Sequence, residues 1–439
     1  MNGQLVLQDS QQITEEAAQA VRRLKIGGRV LLELPTFIYF CRTTHELEVL
    51  ARSDKLDTAP PAIFLRFADL FDLSSKLKLG RFARSFDLRA IPKLVDPEPE
   101  LFLDKNNTPR LRVWLETLRR LASVPIVREV EASLSALNKE NYNDSVLEMS
   151  GRKWFWQLVD ACLQAQAKVD VDLATPFTPI IDGKNTDIIS LAVSVNRVVA
   201  RTFAQSPLKP YGPSYYFALA RSALHTSSFR TALEDFLFLD DTNEAQSEHN
   251  PHVLFLKILG LQQLTHDEVL GLKDLIRTLN SARRLNKLAV FLLDAGEAGF
   301  PLLASGLDGY SENAEIQQSD FDARQDCHED RLKYLWMGDS ESVLGLVSFD
   351  SAVRLFERNG YAYPCGYRCC KYKQGVDPRQ VDQNTWNEDC LTHLVNTRTA
   401  LLKFYRDELR AGNRRAIPKL LVRSLGAVRY LNWVERSCE

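Results

Sequence analysis

Two groups of residues in this 439-residue chain have the types and spacing that chemistry needs. The first is a run of thiols: Cys365, Cys369 and Cys370 lie close together, and Cys390 and His393 follow three residues apart. Residues three apart share one face of a helix, so Cys390 and His393 can grip one ion. Three thiolates and one imidazole suit zinc, and a closed set of four ligands is structural rather than catalytic. The other reading of these thiols is a cluster of buried cysteines behaving as small hydrophobes.

The second group is carboxylates at the ends of expected strands. Asp182 ends the run FTPIID, Asp294 ends AVFLLD, and Glu297 follows one short turn later. Such acids can donate and accept protons at a reacting centre, or cap a helix and serve no reaction. Lys257 sits within VLFLKIL, where a lysine of depressed pKa would be a nucleophilic amine and an ordinary one would pair with an acid. Cys41, just past the first expected strand, is a further thiol that could attack an electrophilic carbon. Basic residues gather at Lys76, Lys78, Arg81 and Arg84, at Arg152-Lys153-Trp154, and from Arg410 through Arg414, Arg415, Lys419 and Arg423. Sets like these can track phosphates, or merely face water.

The elements that must hold these groups alternate. Strands are expected at Val30–Phe37, Ala62–Phe67, Val146–Ser150, Phe177–Asp182, Ser214–Leu219, Val253–Leu259, Ala289–Asp294 and Leu307–Ser311. Amphipathic helices are expected between them, most clearly at Thr186–Phe203 and Thr265–Leu279. Alternation of this kind builds a parallel sheet, and eight strands without a dinucleotide fingerprint favour an α/β (β/α)₈ TIM barrel. The stretch from about 70 to 143 exceeds a minimal barrel and reads as a helical insertion. The expected domains are a barrel over 1–320 and a zinc-binding helical subdomain over 321–439. A net charge of −2, 45% hydrophobic and 26% charged residues describe a globular chain and exclude a globally basic nucleic-acid binder. The start MNGQLVLQDSQQ lacks a signal peptide's features and no apolar run spans a membrane, so a cytoplasmic protein is expected.

Several segments, in order, resemble tRNA-guanine transglycosylases. Gly28-Arg29-Val30-Leu31-Leu32-Glu33-Leu34-Pro35-Thr36-Phe37 is similar to that family's opening strand. Ile258-Leu259-Gly260-Leu261 resembles the glycine-containing turn after the sixth strand, whose backbone receives the base. VFLLDAGEAGFPLLASGLDGYSEN parallels the final strand–helix–strand unit, and Glu148-Met149-Ser150-Gly151 stands where the family carries D-S-G-G after its third strand. Cys365 and Cys370 have the outer spacing of the family's C-x-C-x-x-C, with Tyr367 at the middle position and His393-Leu394 downstream. The resemblance thus implies structural zinc on Cys365, Cys370, Cys390 and His393, with Cys369 able to replace Cys370 or Cys390.

The departures shape the expected function. The family's nucleophilic aspartate aligns with Ser311, and its second aspartate with Met149, which removes the transglycosylation chemistry. A relative with the base pocket but no nucleophile could act on a base already in place. The resemblance therefore points to a nucleic-acid base-modifying enzyme, expected to hydrate the nitrile of 7-cyano-7-deazaguanine in DNA to the amide. Asp294 and Asp182 would be acid and base with Glu297 beside them, and Leu259, Gly260, Leu261, Ser150 and Ser311 would line the base pocket. DNA is the expected partner and RNA the alternative, together with other proteins of a DNA-modification system. Two other classes remain open: base exchange using Ser311 or Glu312, and a non-catalytic nucleic-acid-binding scaffold.

Overall fold

A computed structural model describes residues 21–26, 29–41, 43–73, 91–103, 108–122, 137, 142–169, 171–205, 212–238, 253–261, 264–286, 288–304, 306–312, 314, 331–336, 345–361, 368–370 and 375–411. The chain opens with an antiparallel hairpin, β1 (Arg22–Ile26) and β2 (Arg29–Leu34), followed by β3 (Thr36–Cys41). The expected first strand, Val30–Phe37, is therefore two strands. Pro35 supplies no N–H to a ladder, and β3 starts beyond it and is buried along its whole length. After β3 come α1 (Thr44–Arg52), β4 (Ile63–Arg66) and β5 (Lys93–Asp96). Next are three helices, α2 (Thr108–Leu121), α3 (Tyr142–Ser150) and α4 (Lys153–Ala167).

Two expectations fall in this region. The third strand is Lys93–Asp96, inside the stretch read as a helical insertion, and Val146–Ser150 belongs to α3. Val146 and Met149 are both buried, and their spacing of three is helical rather than alternating.

The chain continues through β6 (Leu173–Ala174), β7 (Ile180–Ile181), α5 (Thr186–Gln205), β8 (Gly212–Pro213), β9 (Tyr215–Leu219) and α6 (Ser227–Phe238). Then follow β10 (Val253–Ile258), α7 (His266–Asn286), β11 (Ala289–Leu293), α8 (Gly299–Ala304) and β12 (Gly309–Glu312). From β3 to β12 the strands make one curled, half-barrel parallel sheet in the order β7-β9-β10-β11-β12-β3-β4-β5-β6-β8. Both faces of such a sheet are covered, so its strands are continuous apolar runs: all of VLFLKI and all of AVFLL are buried.

Beyond β12 lie a small hairpin, β13 (Tyr334–Trp336) with β14 (Gly345–Val347), then α9 (Phe349–Arg358) and the long α10 (Gln383–Arg410). Trp386 and Cys390 of α10 pack with Tyr334, Trp336 and Phe356 in a small second core, whereas Leu394, Val395 and Leu402 pack into the main one. The helix ties the two together. No helix among the described residues is long and apolar enough to cross a membrane.

Candidate functional site

The sheet's carboxyl edge is where helices diverge and leave room for a ligand. There β5 runs into the sequence Asp96-Pro97-Glu98-Pro99-Glu100, which places three carboxylates on alternate residues. Lys257 of β10 reaches between two of them, with Nζ 2.5 Å from Asp96 Oδ2 and 2.5 Å from Glu100 Oε1. Tyr216 of β9 donates its hydroxyl to Asp96 Oδ1 at 3.0 Å. Asp96 is wholly buried, while the Glu100 side chain is 30% exposed and its Oε2 has no hydrogen-bond partner among the described residues. Thus the lysine and one carboxylate are wholly buried, and the side chain of the second carboxylate is only partly so.

The third carboxylate holds the loop in shape. Glu98 takes a left-handed backbone (φ 56°), accepts Ala68 N–H at 2.9 Å, and is gripped by Arg110 of α2 through Nε at 2.8 Å and Nη2 at 2.7 Å. Burial nonetheless outweighs Arg110 and Arg66, and pushes the Glu98 carboxyl up from 4.5 to about 7. A folded pKa above the unfolded one gives stability that is present below about 4.5 and lost as pH rises through about 7. The Glu98→Gln variant, which mimics the protonated form, should therefore gain on the wild type across that window by on the order of 3 kcal/mol in urea unfolding.

Burial opposes the charge on Lys257, but the fields of Asp96, Glu100 and Asp294 outweigh it and raise its pKa. Paired with two carboxylates, the amine is held in its charged form, which argues against the Schiff-base reading. Glu100 is raised as well, by desolvation and Asp96 against the pull of Lys257. Cys41 is no nucleophile: its thiol donates to Thr43 O at 2.8 Å, and burial, then Glu46 and Asp69, raise its pKa well above the ordinary value.

Asp294 stands just past β11 in a left-handed turn (φ 53°), close enough for its charge to act on Lys257. Its N–H donates to Ser311 Oγ at 2.7 Å, and Ala295 N–H donates to Ser311 O at 2.9 Å. Ser311, fully buried on β12, therefore shapes the Asp294 turn. Glu297 lies in the short 3₁₀ helix Gly296–Ala298 that follows. Glu312 points the other way, as alternation along a strand demands, and pairs with Arg398 of α10 through two contacts of 2.8 Å. Both of its carboxylate oxygens are engaged by that pair.

Asp182 shapes its own turn. One carboxylate oxygen accepts the N–H groups of Lys184 and Asn185, and the other accepts Asn143 Nδ2 at 2.8 Å. Gly260 has φ 71°, a conformation glycine adopts freely, and a Cβ there would lie 3.2 Å from the Arg221 side chain. Leu259 and Gly260 are half-buried and Leu261 is buried in the turn after β10. Ser150 ends α3 and returns its hydroxyl to Leu147 O at 2.7 Å, so the segment Glu148–Gly151 is no strand-end loop. The carboxylate that closes the sheet's third strand is Asp96, and Met149 is a buried residue of α3.

A second site lies between β13 and α10. Cys369 Sγ and Cys370 Sγ are 3.5 Å apart, and each approaches His393 Nδ1, at 3.3 and 3.4 Å. All three residues are buried, and among the described residues they form the group that could hold a metal ion. Leu335 O, a pure acceptor, sits 2.9 Å from His393 Nε2, which must then carry the proton. That leaves a lone pair on Nδ1 aimed at two thiols, the tautomer a metal requires. Tyr334 stacks on the imidazole at 4.6 Å, and its hydroxyl lies 2.8 Å from Cys370 Sγ. The donor set fits a thiophilic ion. Cys390 lies apart from the trio, with its thiol directed to Leu332 O at 3.5 Å. Cys365 and the basic residues at 76–84 and 414–423 lie outside the described residues.

No family model and no curated protein matches this chain.

Sequence reasoning missed Asp96, Glu98 and Glu100 because it placed them in an insertion. The signal was present in D-P-E-P-E, three acids spaced by prolines directly after the apolar pair Leu94-Val95.

Proposed function

We propose that this chain is a polynucleotide base-modifying enzyme of transglycosylase-like architecture that hydrates the nitrile of 7-cyano-7-deazaguanine in DNA to the amide, with RNA as the alternative substrate. The observation that carries this reading is the ammonium of Lys257 held between Asp96 and Glu100, with the second Glu100 oxygen, Oε2, buried and without a hydrogen-bond partner among the described residues. Nitrile hydration needs a base that takes a proton from water and an acid that protonates the nitrile nitrogen as the C–O bond forms. Glu100 is the base and Lys257 the acid, while Asp96 and Asp294 keep the amine charged. Water adds across the triple bond and the resulting imidic acid tautomerises to the amide, with no covalent intermediate and no redox partner. Gly260 lets the backbone approach the flat face of a base that has left the duplex.

The barrel is part of the same proposal. Only Ser214 separates β8 from β9, and β6 and β7 belong to one extended segment. The pairing Leu173↔Gly212 continues as Ile180↔Ala218 with a slip of one residue. This supports a sheet that closes into a (β/α)₈ barrel, with α10 as the helix that follows its eighth strand.

A second reading, base exchange, is favoured by the carboxylate of Asp96 at the end of the third strand, where the transglycosylases carry an aspartate. Incorporation of radiolabelled guanine into nucleic acid separates it from hydration. Zinc is the proposed occupant of the Cys369–Cys370–His393 group, with a fourth ligand from the same segment, where Cys365 is the nearest cysteine. Elemental analysis should find about one zinc per chain, and the His393→Ala protein should lose it while the Cys162→Ser protein keeps it.

A further inference from the structure

The left-handed turn at Asp294 is uncommon for a non-glycine residue, even though aspartate adopts it more readily than most, and here it has an external hold. The hold comes from β12, through the hydroxyl and the carbonyl of Ser311. β12 is paired in the sheet with β11 and β3, and its end is held a second time from outside the sheet. The next residue, Glu312, is wholly buried and takes a two-pronged ion pair from Arg398, itself 2% exposed, on α10. A bidentate guanidinium–carboxylate pair fixes orientation as well as distance. Tyr310 secures the same strand on its outer side, where its ring lies so close to Gly299 that a Cβ there would fall 2.1 Å from it.

We propose that Arg398 is a positioning residue: by clamping Glu312 it sets the end of β12, and through Ser311 it holds Asp294 toward Lys257. The catalytic consequence rests on the hydratase reading; the geometric one does not. Burial alone does not account for the arrangement, because an apolar pair of similar volume would bury as well without fixing a direction. Arg398 follows His393 by five residues, a rise of about 7.5 Å along the helix. The helix that carries the metal-ligand histidine therefore also carries the clamp. Below the clamp, Arg406 binds Pro35 O and Glu33 O at 2.7 and 2.8 Å, so α10 is seated against the barrel at two heights.

The test is the double variant Arg398→Met/Glu312→Leu, which replaces the ion pair by an apolar one and leaves no buried charge. Two quantities are read on the full chain: hydrogen exchange at the Asp294 and Ala295 amides, and kcat and KM for nitrile hydration. The proposal expects a cooperatively folded protein whose two amides exchange at least about tenfold faster. It also expects kcat to fall at least about tenfold with KM within about twofold. Unchanged exchange in the folded double variant would overturn it. Faster exchange with unchanged kcat would overturn the catalytic half. Should wild type hydrate no nitrile, the exchange measurement decides the positioning role alone. If the double variant does not fold, Arg398→Lys, which keeps the charge and loses the fork, is read in the same way against the same outcomes.

Discussion

Lys257→Met should be both the most destabilising and the most damaging single change in the parallel sheet. It removes the cation from a wholly buried Asp96 and leaves that carboxylate with neutral donors only, the Tyr216 hydroxyl and the Glu98 N–H. Breaking a buried pair by deleting one member typically costs about 3–5 kcal/mol, because the remaining charge is uncompensated. Urea unfolding should show a loss of that size. The companion double variant, Lys257→Met/Asp96→Leu, should recover most of it, since a well-packed apolar pair is often as stable as the ions. Catalysis should be absent in both. Stability and activity then part company: a stable double variant without turnover assigns Lys257 to the reaction rather than to the fold alone. A double variant that regains turnover would make the lysine a structural ion.

Glu100→Gln isolates the other partner. Its side chain is partly exposed and contributes one oxygen to Lys257, so the amide should change stability by no more than about 1 kcal/mol. Turnover should fall by roughly 10²–10⁴-fold, the usual weight of a general base. A raised pKa also implies a pH–rate profile whose acid limb reports Glu100 and lies above the ordinary carboxylate range. Retained turnover in Glu100→Gln would mean that the carboxylate only neutralises the lysine.

The sequence made some of this arrangement readable and hid the rest for definable reasons. VLFLKI and AVFLL are long apolar runs with β-branched or aromatic residues, which short parallel strands require, and they lie where expected. KLVD is four residues with a charge at each end, between Pro92 and Pro97. Its lysine and aspartate are buried only because distant residues pair with them: Asp172 salt-bridges Lys93 at 4.0 Å, and Lys257 meets Asp96. No local pattern announces such a strand. VLEMS carries strand-like residues, but α3 buries Val146 and Met149 on one helical face. At the candidate metal group, spacing paired Cys390 with His393 and the resemblance brought in Cys365 and Cys370 with Cys369 as a substitute; Cys369 and Cys370 meet at His393, and Cys390 lies outside that group. Two adjacent cysteines reach one imidazole because the short turn at 368–370 directs both thiols to His393 Nδ1. Glu312 was foreseeable in direction from alternation, but its partner Arg398 lies 86 residues away and no spacing rule names it.

The most direct test of the central claim is mass spectrometry of nucleosides from DNA that contains 7-cyano-7-deazaguanine, after incubation with the purified protein. The account predicts conversion to a nucleoside heavier by the mass of one water, lost in the Lys257→Met/Asp96→Leu protein. An unchanged mass with the base still in place would contradict it and leave a nucleic-acid-binding scaffold as the better description.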